Sequence, residues 1–195
     1  HKKEQELRHA VGYAPDFLPA IIDFSDVLLA ENQTRRARKW LRAAWEKAPS
    51  YLLIDPILST IADASPRAQQ RLLRRFITGT PSVNQQLLLA QQALDTDDFE
   101  RAKTHVEAAL ALEETKTACS LMAQIEKHLR GVDAANGWLA RAVDAPESES
   151  WVCDHCGTQH EQWHAHCTSC QHFDSLRYAR PESRITSVEL TTSAA

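Results

Sequence analysis

A chain of 195 residues, 43% of them hydrophobic and only five of them glycine, can bury a real core in one or two domains and favours helix. Its formal charge of -4 is mild, yet residues 31–75 hold ten Lys/Arg against four Asp/Glu while residues 95–150 hold six against twelve. No sustained Val/Ile/Thr alternation occurs, which excludes an extended sheet, and no run approaches the roughly 18 apolar residues of a membrane-spanning helix.

In chain order, the first signal is a repeat. Leu7-x2-Ala10-x4-Pro15 is followed by Ala37-x3-Leu41-x2-Ala44-x4-Pro49, and Pro15 to Pro49 is 34 residues, the period of a tetratricopeptide (TPR) unit. Ala37 and Ala44 are small enough for close helix approach, Leu41 fills the groove, and Pro49 stops the helix. The preceding helix carries Ile21, Phe24 and Leu28 on one apolar face. Pro66 to Phe76 reads as a degenerate second helix after the breaks at Pro56 and Ser65-Pro66. Ala90 and Ala93 precede Ala102-x3-Val106-x2-Ala109, and Ala135-x3-Leu139-x2-Ala142-x3-Pro146 starts 33 residues after Ala102. A half repeat and then about four helical hairpins, stacked as a short solenoid, are therefore expected over residues 1–146. N-caps are expected at Asp16, Thr34, Ser65, Ser82, Asp97 or Asp98, and Asp133. Such arrays offer a groove to a protein partner rather than a catalytic pocket. Cys119, on an apolar helix face, reads as a buried thiol.

Two helices carry basic stripes. Arg35, Arg38, Lys39 and Arg42 fall at i, i+3, i+4 and i+7, and Arg67, Arg71, Arg74 and Arg75 form the second set. They fit either ordinary solvated faces or a site for a partner or an anionic ligand, such as a lipid headgroup or the carboxylates of haem or another porphyrin. Nucleic acid is set aside by the negative net charge and the lack of interleaved aromatics.

Four of the five cysteines lie between residues 153 and 170, as Cys153-x2-Cys156-x10-Cys167-x2-Cys170. Paired CxxC turns in a cysteine-poor chain indicate a tetrahedral metal site, for one structural zinc ion or, as the alternative, a rubredoxin-like iron. About thirty residues cannot bury enough surface to fold alone, so residues 147–181 are expected to form a small metal-dependent β module, with Trp151, Trp163, Phe173 and Tyr178 as its core. Residues 182–195 are expected to be a flexible tail. Gly157 suits the positive-φ position after the first knuckle, and Gln171 suits its counterpart less well. Five of the nine histidines cluster here, at positions 155, 160, 164, 166 and 172, and are expected to form a polar surface around a site the cysteines already complete.

With TPR hairpins followed by Trp151-x-Cys153-x2-Cys156-Gly157, Trp163-x3-Cys167-x2-Cys170, Phe173-Asp174-Ser175-Leu176 and Pro181, the chain resembles the C-terminal region of HemY-type TPR proteins. That resemblance implies a non-enzymatic scaffold associated with haem biosynthesis, with enzymes of that pathway as partners, at the cytoplasmic side of a bacterial inner membrane. Membrane helices precede the TPR array in that family, so the resemblance also implies a soluble C-terminal piece anchored through a region outside this chain. The lipopolysaccharide assembly protein B type, an adaptor that also joins TPRs to a rubredoxin-like module, is the alternative.

Overall fold

Small residues at the helix crossings and prolines at the helix ends set the architecture. The structure, a computed structural model, describes residues 2–146 and 148–181, and divides into two compact units, the first ending at Pro146. The expected tail at 182–195 lies outside the described residues.

The first unit is built from α1 (Lys2–Tyr13), α2 (Leu18–Ala30), α3 (Thr34–Lys47), a 3-10 turn at Tyr51–Leu53 running into α4 (Ile54–Ser59), α5 (Pro66–Leu73), α6 (Val83–Leu94), α7 (Phe99–Leu112), α8 (Lys116–Arg130) and α9 (Val132–Asp144). A lone helix is thus followed by three packed helical hairpins of TPR type, α2/α3, α6/α7 and α8/α9, with the short helices α4 and α5 between the first and the second. The alanines expected at crossings, Ala37, Ala44, Ala102, Ala109, Ala135 and Ala142, are all buried. Ile21, Phe24 and Leu28 of α2 meet Leu41 of α3 in one continuous core, where each full burial contributes about 2 kcal/mol. Leu139 departs from the pattern. Its equivalents Leu41 and Val106 are fully buried, but Leu139 is 50% exposed, because α9 is the last described helix of this unit and no further one covers it.

Hairpins are joined by polar contacts as well as apolar ones. Trp45 Nε1 donates to the Phe76 carbonyl oxygen at 2.8 Å, and the two rings meet edge to face at 6.4 Å. Glu126 of α8 is buried between Lys103 of α7, at 3.0 Å, and Arg130. Arg130, and then Lys103, hold its carboxyl down at about 2 against the cost of burial.

The helix starts correct several expectations. Ser82 and Asp98 cap α6 and α7 through their side chains, accepting from the Gln85 and Arg101 amides. Ser65 precedes α5 without a side-chain cap bond. Phe17 and Gln33 occupy the cap positions expected for Asp16 and Thr34, because Thr34 already has helical geometry and Pro19 at the first turn of α2 fixes that start one residue later. Asp133 lies inside α9, whose cap is Gly131 at φ +93°. Thr115 caps α8, its hydroxyl accepting from the Ala118 amide at 3.2 Å.

The second unit is a three-stranded antiparallel sheet of order β2-β1-β3, with β1 at Ser150–Cys153, β2 at Gln159–His160 and β3 at Leu176–Ala179. Trp151 sits opposite His160 on one side and Tyr178 on the other. Trp151 and Leu176 are buried, and the Trp151 and Tyr178 rings pack at 5.3 Å. Phe173 was expected in this core but is 67% exposed; its backbone is bridged to His166, which leaves its ring lying against the His166 imidazole. So little apolar area is covered that the sheet alone cannot account for a stable fold.

Candidate metal centre

Each CxxC pair sits in a tight turn, and the two turns are built alike. The Cys153 amide donates to Thr158 O and the Gly157 amide to Cys153 O; likewise the Cys167 amide donates to His172 O and the Gln171 amide to Cys167 O. Both turns close through a residue in the left-handed region, Gly157 at φ +71° and Gln171 at φ +61°. The second knuckle thus accepts a non-glycine where the first has glycine, at a cost of about 1 kcal/mol.

Back-to-back, the turns bring Cys153, Cys156, Cys167 and Cys170 together, with all four sulfurs within 4.8 Å of one another. Cys153 Sγ to Cys170 Sγ and Cys156 Sγ to Cys167 Sγ both measure 3.7 Å. A tetrahedral ion with metal–sulfur bonds of about 2.3 Å requires sulfur–sulfur edges of about 3.8 Å. The four cysteines are therefore positioned to bind a metal ion. Three of the thiols are perturbed in different directions. The Ser175 hydroxyl holds the Cys153 thiol down at about 5. The Thr158 hydroxyl and amide lower Cys156. The His172 amide pulls Cys170 down too, but burial and the three neighbouring thiols outweigh it and push this thiol up to about 12. Four thiolates cannot coexist in this volume without a cation to neutralise them.

Around the sulfurs lies a ring of contacts that the spacing of cysteines did not reveal. Ser175 Oγ lies 3.2 Å from Cys153 Sγ and the same distance from His172 O. Thr158 Oγ1 lies 3.2 Å from Cys156 Sγ, and His160 Nε2 lies 3.4 Å from Cys167 Sγ. Ser175 reaches the site from the residue before β3, and its own carbonyl accepts from the Asp154 amide at 2.8 Å. Its place within Phe173-Asp174-Ser175-Leu176 was visible in the sequence; its role was not. Among the histidines, His155 and His172 stack at 4.2 Å and are exposed, while His160 is half-buried against the site. Cys119 is remote in sequence and buried in α8, and burial followed by the Glu114 charge raises its thiol, which makes it a poor nucleophile.

The basic residues do not stay in their expected sets. Arg35, Arg38, Lys39 and Arg42 of α3 line one groove of about 650 Å³ together with Arg75. Arg74 lines a different cavity with Arg101 and His105, and Arg67 and Arg71 line neither. Helix α5 ends at Leu73 and Arg74 keeps helical geometry as its cap, its amide donating to Gln70 O, but the Arg75 amide donates to Leu72 O in a tighter turn, so the 3.6-residue spacing no longer holds Arg75 in line with Arg67 and Arg71.

The fold and the site define a class: a TPR-type helical array carrying a four-cysteine metal site. No family model matches the chain. It is 26% identical over 176 residues to "Probable magnetosome protein Mms48" of Magnetospirillum gryphiswaldense, a match that covers 89% of this chain and 39% of that protein. The chain thus spans about two-fifths of the length of this relative. Among solved structures, a thermophilic TPR protein of Thermus thermophilus superposes with a TM-score of 0.50 at 15% identity, over 73% of this chain and 80% of that one. MamA gives a TM-score of 0.45 at 12% identity, over 72% and 85%.

These findings correct two expectations. The relative is a magnetosome protein, not a HemY-type protein, so the resemblance to that family and the link to haem biosynthesis fall. The placement at the cytoplasmic side of the inner membrane falls with them, and among the described residues no helix is long and apolar enough to cross a membrane. The physical reason is that Trp-x-Cys-x2-Cys-Gly and the alanine spacing are dictated by knuckle geometry and helix packing. They report a fold, and the same fold serves different pathways.

Proposed function

We propose that this chain is a non-enzymatic adaptor, in which the helical array of residues 1–146 engages a protein partner and the module at 147–181 is held together by one structural zinc ion. The observation that carries the adaptor reading is the run of TPR-type hairpins α2/α3, α6/α7 and α8/α9, an architecture whose stacked faces serve as binding surfaces. For zinc, the support is a closed shell of four sulfurs with tetrahedral edges in a unit too small to fold on its apolar core. Bound there, zinc would supply charge neutralisation and cross-linking and no reaction. The name of the relative suggests the setting: a magnetosome-associated assembly.

Affinity capture with the intact chain tests the adaptor reading, and a reproducible stoichiometric partner is the expected result. Metal analysis of the purified protein is expected to give one zinc per chain and no visible absorption. A coloured protein containing iron would overturn the zinc assignment. Replacing the matching part of Mms48 with this chain is expected to preserve co-fractionation with magnetosomes; loss of co-fractionation would remove the setting while leaving the adaptor.

A further inference from the structure

The groove between α3 and the end of α5 has a composition that ordinary solvated surface does not explain. Arg35, Arg38, Lys39 and Arg42 line it from α3 and Arg75 from the turn that follows α5, with Glu46 as the one carboxylate among the described lining residues. Glu46 is engaged with Arg42 at 2.7 Å. Arg38 is fixed in the wall, its Nε donating to Thr60 Oγ1 at 3.3 Å and a terminal nitrogen donating to Thr60 O at the end of α4. Burial, and then the nearby Arg75 and Arg35, disfavour its charge. Five like charges are thus gathered from α3 and the turn after α5, with Glu46, already held by Arg42, as the single anion among the described lining residues. The rest of the lining is apolar: exposed Ala43 and half-buried Leu72, with the buried Phe76 beneath them.

We propose that this groove binds an acidic segment of a protein partner, with carboxylates on the arginine wall and an apolar side chain on the Ala43–Leu72 floor. This rests on the adaptor reading and names its site and ligand class. A groove of about 650 Å³ suits a few peptide residues, and it is concave where a bilayer surface is flat. A bare phosphate would satisfy the arginines and leave the apolar floor wet, so the mixed lining favours peptide over free anion.

The test is a titration of the full chain with a short fluorescent peptide in which pairs of glutamates are separated by single leucines. Saturable binding is expected, falling with added salt. Arg35→Glu and Arg75→Glu should each weaken it about tenfold. Both side chains are exposed, and unchanged helical circular dichroism would show that the variants fold; Arg35→Gln and Arg75→Gln serve if they do not. Arg67→Glu, on α5 but outside the groove, should leave binding unchanged. An equal loss with Arg67→Glu, or equal binding of a peptide with serines in place of the leucines, would overturn the proposal. So would tighter, competing binding of inorganic polyphosphate or of phosphatidylglycerol vesicles, or a concentration-dependent dimer abolished by Arg75→Glu, which would assign the groove to a second copy. Affinity capture separates the two readings. A partner retained equally by wild type and by Arg35→Glu/Arg75→Glu sinks the groove and keeps the adaptor. Peptide binding without any captured partner sinks the adaptor alone.

Discussion

The two units reach order by different means. The helical unit buries a continuous set of Leu, Ile, Phe and Ala side chains, from Val11 in α1 to Ile125 in α8. The cysteine unit buries Trp151, Leu176 and two of its cysteines among its apolar residues, and its two knuckles are arranged around four sulfurs rather than around a core. Stability in the first is distributed, so that single losses are graded. In the second, the proposed metal ion would concentrate it at one point, and loss there is expected to be all or none.

Metal removal should break the comparison most sharply. With a strong chelator, or in Cys153→Ser/Cys167→Ser, the amide resonances of residues 148–181 are expected to collapse into the unfolded range, while those of the helical unit and its helical circular dichroism persist. The missing metal contribution is on the order of 10 kcal/mol. Collapse of both units together would refute the separation. Next in size is Glu126→Ala, which removes the buried partner of two solvent-accessible cations, Lys103 and Arg130, and should destabilise the helical unit by about 1–2 kcal/mol in urea unfolding. The native Glu126 carboxyl is held near 2 from an ordinary 4.5. Its contribution is therefore complete above pH 4.5 and is lost as pH falls toward 2, and Glu126→Gln should remove that part of the acid dependence.

Smaller effects sharpen the picture of the metal unit. Ser175→Ala removes the hydroxyl beside Cys153 and should lower zinc affinity about tenfold in a chelator competition, without unfolding the loaded unit. Gln171→Gly relieves the left-handed strain of the second knuckle and should stabilise the loaded unit by about 1 kcal/mol, offset in part by loss of the Gln171 side-chain bond to Thr168 O. No gain in thermal midpoint would mean that the second turn is not strained as its φ implies.

The repeat and the metal ligands were legible because each follows from local spacing. Alanines at 37, 44, 102 and 109 mark crossings by their size, and two CxxC turns announce a tetrahedron. What depended on tertiary placement was not legible. Ser175 and Thr158 approach sulfurs from strands and turns whose pairing no periodicity encodes. Arg75 joined the α3 stripe and left Arg67 and Arg71 because α5 stops at Leu73, and Leu139 carries the same signature as Leu41 yet lies half bare on the last described helix of its unit. Phe173 illustrates the same limit in the small unit, where an aromatic next to a knuckle looked like core. The pathway was least legible of all, since the residues that suggested one are those the fold itself requires.

Gly131 ends α8 and caps α9 at once, so these two long helices are joined by a single residue. Bringing them together closes almost no loop, and the entropy lost in forming their contact is the smallest of any hairpin in the array. By loop closure alone, α8/α9 is therefore the hairpin of the described array favoured to form first.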